Sequence, residues 1–350
     1  MKLKSFIQFV APSVGLMVAL MAIPLVITFY LSARNCAFEM EVVTVTETTP
    51  FGSKDVITQR AKLDDSGKAI KTCRFVGAEY YRKVLGLDTN NTENNAENSN
   101  RSGSNPEAST STADSSAITS KPKNEFFAAL QFTLIYTLST TPFVIVIGFL
   151  LALGVNNVST KLKGFFISAS LLPFIITPVV AALSIKWLFR DNGLVPYLLS
   201  FAGIEVFWMA QAWSARVLIV LYGIWHVVPF AFVVFYAGLQ SVPQDSLEAA
   251  TIDGATRWQK FFYVTLPHMM PLVVFVLLIH IMDSYRVFEP VMVLTQGAFT
   301  TSVQYLTYFI LLQENNPYKA SAASVLTIFG VLVLLIPLLV KTYREQKRGF

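Results

Sequence analysis

Charge is what this sequence has least of. Only 14% of its 350 residues are charged, 53% are hydrophobic, and the mean hydropathy is +0.52. Soluble domains carry about 25% charged residues, so the shortage excludes an ordinary soluble fold and points to a polytopic membrane protein. Histidine is equally sparse: three residues, spread along the chain, form no His/Cys/carboxylate cluster, so no metal site is expected. No G-x-x-x-x-G-K-[ST] phosphate loop occurs, and the chain is not expected to hydrolyse a nucleotide itself. There are two cysteines, Cys36 and Cys73.

What is present is long apolar runs. A hydrocarbon core about 30 Å thick needs roughly 20 apolar helical residues. Six stretches qualify, at about Phe6–Leu31, Phe126–Leu153, Phe165–Phe189, Val217–Leu239, Pro271–Leu294 and Ala322–Val340. Backbone groups in lipid must bond within their own segment, so the expected fold is all-α with six transmembrane helices. The start "MKLK" plus an apolar run resembles a signal peptide. The run from Ser5 to Ser32 exceeds a signal core of about 7–15 residues, however, and is read as an uncleaved first span, residues 1–32.

The net charge of +5 is distributed as membrane topology demands rather than as nucleic acid would. Lys2 and Lys4, Lys161 and Lys163, Arg257 and Lys260, and Lys341, Arg344, Lys347 and Arg348 all fall on one side of a six-span chain. The positive-inside rule makes that side cytoplasmic, with both termini there, in a bacterial-type inner membrane. No nucleic-acid partner is expected; membrane lipid is.

The region between the first two spans is then extracytoplasmic. Residues 33–87 alternate β-branched and polar residues, as short strands do. Residues 88–123 are rich in Asn, Ser and Thr with almost no apolar content, the composition of a disordered linker. Cys36 and Cys73 flank the first segment. An oxidising compartment permits a disulfide between them, and two unpaired buried thiols are the alternative. Residues 124–350 form the five-helix core.

The most polar stretch of that core is the loop at 241–267, containing "LEAATIDGATRWQKFFYVTLP". Ser241, Pro243 and Asp245 offer a capping serine, an early proline and a first-turn acid, a good helix start. Gly254 is placed as the positive-φ residue that ends that helix. A second short helix follows, with Trp258, Phe261 and Phe262 near one face to anchor it, and Pro267 to stop it. The pair makes a small-residue shelf suited to close docking. On the residues alone, an amphipathic helix lying in the membrane interface is the bland alternative.

"EAATIDGATRWQKFFYVTLP" closely resembles the EAA loop of permeases from binding-protein-dependent ABC importers. The matching positions are Glu248, Ala249, Ala250, Asp253, Gly254, Ala255, Phe261, Leu266 and Pro267. The flanking "LLPFIITPVVAALSIKWLFRDNGLVPYLLSFAGI" and "DSYRVFEPVMVLTQGAFTTSVQYLTYFI" resemble the carbohydrate-uptake branch, which includes maltose and glycerol-3-phosphate importers. That branch usually has Gly-Gly-Pro where this chain has Gly297-Ala298-Phe299. The likeness runs from about Phe126 to the end.

The resemblance implies a type I ABC permease fold carrying an insert after the first helix. It also implies partners: a second homologous permease subunit, an ATPase dimer using ATP and Mg, and an extracytoplasmic solute-binding protein. Glu248 would touch the ATPase, Ala249 and Ala250 would give close packing, and Gly254 the turn. No cofactor is implied in this chain.

Intramembrane ionisable residues mark candidate paths. Asp283 and Arg286 stand at i, i+3, where they either pair to stabilise the fold or line a cavity, with Tyr285 offering an aromatic face to a sugar ring. His280 and Glu289 lie in the same stretch. In the fourth span Tyr222 and His226 raise the same choice between a bonded core and a solute path, and Trp225 reads as packing. A self-contained secondary transporter using Asp283 and Glu289 is the rival function; it predicts internal repeats and leaves the EAA loop without a purpose.

Overall fold

The computed structural model describes residues 3–38, 40–49, 52–62, 68, 70–87, 125–201, 203 and 205–348. They belong to two units, residues 1–120 with 310–326, and residues 121–309 with 327–350. The linker expected at 88–123 lies outside the described residues.

In the first unit, α1 (Leu3–Ser32) runs without a break through Pro12 and Pro24. Hydroxyls of Ser13 and Thr28 donate back to the carbonyls of Val10 and Pro24. Its apolar side chains, Leu16 to Tyr30, are exposed, as lipid contact requires. The alternating stretch after it folds as two antiparallel pairs. β1 (Arg34–Phe38) pairs with β4 (Lys71–Phe75), and β2 (Met40–Thr49) with β3 (Gly52–Ala61). Cys36 stands directly opposite Cys73 in the β1–β4 register, and the two are joined as a disulfide. A short α2 (Glu79–Val84) follows; its Tyr81 hydroxyl meets Ser32 Oγ at 2.8 Å, and its Tyr80 ring stacks on Tyr318.

The second unit is helical. α3 (Glu125–Asn156) and α7 (Ala212–Gln240) pack in parallel. Three meetings fix their direction: Tyr136 with Gly223, Gly148 with Ala231, and Asn156 with Gln240. A Cβ at Gly148 would sit 2.7 Å from that of Ala231, so glycine is what lets the helices approach. Around this pair lie two buried apolar clusters. One contains Phe132, Ala181, Leu218, Ile219 and Val291; the other, nearer Gln240, contains Phe149, Ala152, Phe232, Phe235 and Met269.

The third span departs from expectation. It breaks into α4 (Thr160–Ile175) and α5 (Pro178–Phe189), and the chain from α5 through α6 (Leu194–Ser200) lies at 94° to α4. The cause is local: Pro178 has no N–H to donate, and it forces Thr177 into extended backbone (ψ 140). Among the described residues five helices are long and apolar enough to span a membrane, or six if this bent pair is one span.

The fifth span also differs. α8 (Gln244–Ile252) and α9 (Arg257–Lys260) form the loop pair, but Pro267 does not end the second helix. A π-helical turn over Phe261–Thr265 carries α9 directly into α10 (Leu266–Tyr285), so Arg257–Tyr285 is one apolar run. The Leu266 amide reaches back to the Phe261 carbonyl, and Pro267 sits in the first turn of α10, where its missing N–H costs nothing. The helix ends at Tyr285 rather than Leu294. A second π turn (Val291–Thr295), the left-handed Gln296, α11 (Val303–Leu312) and α12 (Pro317–Arg348) complete the chain.

Candidate functional site

Two regions of the helical unit carry the expected residues. The first is the loop pair. α8 begins after Pro243, and Asp245 lies in its first turn. Ser241 does not cap it: its hydroxyl donates to the Gly238 carbonyl and so closes the end of α7 instead. The other end of α8 is closed by backbone alone. The Gly254 amide donates to the Thr251 carbonyl and the Ala255 amide to that of Ala250, with Gly254 at φ +77°. This double bond with a left-handed residue is a Schellman closure, and it favours glycine strongly. α9 then starts on a reciprocal capping box between Thr256 and Gln259.

Between the two helices lies a cleft of about 310 Å³ lined by Ala250, Asp253, Gly254, Ala255, Lys260 and Tyr263. Glu248 and Ala249 are exposed on α8, which has no buried residue. Of the three aromatics expected to anchor the pair, only Phe261 does so, packing edge-on against Phe149 at 5.6 Å. Trp258 and Phe262 stack on one another and are 74% and 54% exposed. Gln240 Nε2 donates to Asn156 Oδ1, which sets the loop beside the chain that carries Lys161 and Lys163.

The second region is a cavity of about 150 Å³ toward the opposite end of the bundle. Tyr136 comes from α3, Pro178 from the break in the third span, Tyr222 and His226 from α7, and His280 and Asp283 from α10. Arg286 and Glu289 come from the chain beyond α10. Polar side chains on α7 mend the break. The Tyr222 hydroxyl donates to the Pro178 carbonyl (2.8 Å), and His226 Nδ1–H donates to the Pro173 carbonyl (2.9 Å), since a carbonyl can only accept. On the far wall, His280 Nε2 lies 3.0 Å from Thr140 Oγ1, and Ser284 Oγ donates to Thr137 Oγ1 at 3.2 Å.

Residues 116–348 match the family described as binding-protein-dependent transport system inner membrane component. The chain belongs to this family. The arabinooligosaccharides transport system permease protein AraP of Halalkalibacterium halodurans is 33% identical over 230 residues, 63% of this chain and 72% of that one. The trehalose transport system permease protein SugA of Mycobacterium tuberculosis is 32% identical over 225 residues, 64% and 72%. Among solved structures, a bacterial ABC transporter involved in the import of the acidic polysaccharide alginate superposes with a TM-score of 0.58. It is 27% identical and covers 63% of this chain and 79% of that one.

As a binding-protein-dependent permease, the chain places its expected residues unevenly. Tyr222, His226, Asp283 and Arg286 meet in the cavity. Tyr285 does not: it is 1% exposed and its ring packs where Gly330 of α12 leaves room. The reason is helical phase, because residues two apart face nearly opposite ways. Nor do Asp283 and Arg286 form an ion pair among the described residues. Arg286 has already left the helix (φ −95°, ψ 19°), which spoils the i, i+3 alignment. Tyr136 and Pro178 were missed in the sequence. Pro178 had a signal, since "PFIITP" puts two prolines five apart inside one apolar run; Tyr136 had none.

Proposed function

We propose that this chain is one of two homologous permease subunits in an ATP-driven importer of a sugar or sugar-like solute. A dimer of separate ATPase subunits would consume ATP and Mg at the cytoplasmic face, and an extracytoplasmic binding protein would deliver the solute. The observation that carries the reading is the exposed, backbone-locked helical pair around Gly254. Family membership supports it, as do relatives named for arabinooligosaccharides and trehalose. A self-contained secondary transporter is set aside by the same membership.

In this reading the cleft beside Ala250 and Gly254 is the coupling surface, with Glu248 making polar contact and Ala249 and Ala250 allowing close approach. Asp253, Ala255, Leu266 and Pro267 shape the turn and its exit. Motion reaches the cavity through the unbroken run from Arg257 to Tyr285. Lys260 and His280 are 20 positions apart on it, about 30 Å at helical rise. Phe261 against Phe149 is the fulcrum. The adjacency of Gln240 and Asn156 supports a cytoplasmic side holding both the loop and Lys161, with both termini there and residues 33–123 outside.

Reconstitution in liposomes tests this. Uptake is expected only with the partner permease, the ATPase and ATP, and a thiol label at Arg257→Cys is expected to react from the cytoplasmic side. Solute movement by the chain alone, or labelling of that position from outside, overturns the reading.

A further inference from the structure

The chemistry of the cavity goes further than its location. His280 is 1% exposed, lines the cavity, and has no hydrogen-bond partner at Nδ1 among the described residues. The protonation of its ring follows from its neighbour. The single hydroxyl hydrogen of Thr140 is donated within α3, to the Tyr136 carbonyl at 2.9 Å. With the Thr140 hydroxyl hydrogen on that carbonyl, Thr140 Oγ1 accepts from His280 Nε2–H, and Nδ1 of the neutral ring is then a bare lone pair. A buried acceptor left unmatched in this way is costly unless something donates to it.

The same bookkeeping applies around the wall. His226 spends its Nδ1–H on the Pro173 carbonyl, which leaves Nε2 as an acceptor in the neutral ring. Tyr222 spends its hydroxyl hydrogen on the Pro178 carbonyl and keeps only acceptor capacity. Asp283 and Glu289 are carboxylates and accept only. Against these five acceptors stand one cation, Arg286, which forms no ion pair with Asp283 among the described residues, and one further donor, the Tyr136 hydroxyl. The wall is thus rich in acceptors and carries one more negative than positive charge.

We propose that this cavity selects neutral, hydroxyl-rich saccharides, whose O–H groups donate into it, and discriminates against saccharides bearing carboxylates. Asp283 and Glu289 are the specificity-determining charges, and His280 Nδ1 is the deepest acceptor. The proposal rests on the reading of the cavity as the solute path. It separates this chain from its structural neighbour, the importer of the acidic polysaccharide alginate. A sugar ring offers several donors at fixed spacing, so it satisfies such a wall. A uronate brings a further anion into a net negative, partly desolvated space, where like-charge repulsion is strong.

The test is a thiol placed in the cavity wall of the full complex. Val227 lines the cavity and its replacement in Val227→Cys is small; the two native cysteines of this chain are bonded to each other, and the partner subunits are used in cysteine-free form. Three methanethiosulfonate reagents of similar size are compared: one with a quaternary ammonium, one with a neutral hydroxyl, and one with a sulfonate. Each rate is divided by that of the same reagent with a free thiol in solution.

The ammonium and hydroxyl reagents are expected to react at least about tenfold faster than the sulfonate. Adding Asp283→Asn, which leaves Glu289 and Arg286 as one charge of each sign, is expected to bring the three normalised rates within about threefold of one another. Equal rates in the unaltered wall overturn the charge selection while leaving the path reading in place. Uptake that survives complete modification of the thiol, or a thiol that no reagent reaches during ATP-driven turnover, overturns the path reading and the selection with it.

Discussion

The loop around Gly254 and the cavity above it are built by opposite means. In the loop, the residues that matter lie within 27 positions, are mostly exposed, and hold their shape through backbone bonds closing one helix and opening the next. In the cavity, the lining comes from positions as far apart as Tyr136 and Pro290, and the shape depends on side chains that tie α7 to a broken span. A docking surface needs a rigid outline that a partner meets from outside, and local backbone geometry provides one. A solute path needs polar groups held inside an apolar bundle, where each must be matched by another from a different helix.

The comparison breaks most sharply at Gly254. A Cβ there would touch nothing within 4 Å, so bulk is not the issue; the φ of +77° is. Gly254→Val forces a β-branched residue into left-handed backbone at about 1–2 kcal/mol, enough to undo the Schellman closure. Uptake is expected to fall to background while insertion and detergent-extracted yield stay near wild type. Uptake above half of wild type contradicts the role of coupling element proposed for the loop.

Gly223 gives the converse case, since there bulk is the issue and backbone conformation is not. A Cβ at this position collides with the Tyr136 hydroxyl on the cavity wall. Gly223→Val is expected to lower uptake on the order of tenfold and to destabilise the bundle by about 1–3 kcal/mol, the usual cost of overpacking. Thermal unfolding in detergent and uptake, measured together, check it. If stability is unchanged, α3 and α7 are not in the contact described.

The two constructions explain what could be read from the chain in advance. The loop was legible because its determinants are contiguous: Gly254 marks the turn, and the match to an EAA loop occupies one short segment. Its errors were errors of neighbour preference. Ser241 found the end of α7 closer than the start of α8, and a π turn absorbed Pro267. In the cavity, Tyr222, His226, Asp283 and Arg286 were found as polar residues in apolar runs, which is a local signal. Tyr285 was misplaced because its neighbour's phase was ignored. Tyr136 could not be found, because nothing in one helix says which polar residue of another will face it.

A smaller effect is expected at the tie itself. Tyr222→Phe removes the donor to the Pro178 carbonyl and leaves the ring packed beside His226. The net value of such a bond is about 1 kcal/mol. Stability is expected to fall by that order and uptake by no more than about threefold. A loss as large as that of Gly254→Val would mean that the break in the third span, rather than the loop, limits transport.

The least effect is expected where neither construction operates. Residues 90–120 contain one Ile and four Ala as their only aliphatic residues. Their deletion is expected to leave uptake within about twofold of wild type. A Gly/Ser segment of equal length provides the companion measurement. If the deletion abolishes uptake and the Gly/Ser segment restores it, the segment acts by length as a tether. If neither variant supports uptake, its sequence is recognised by something, and the division of this permease into two working regions is incomplete.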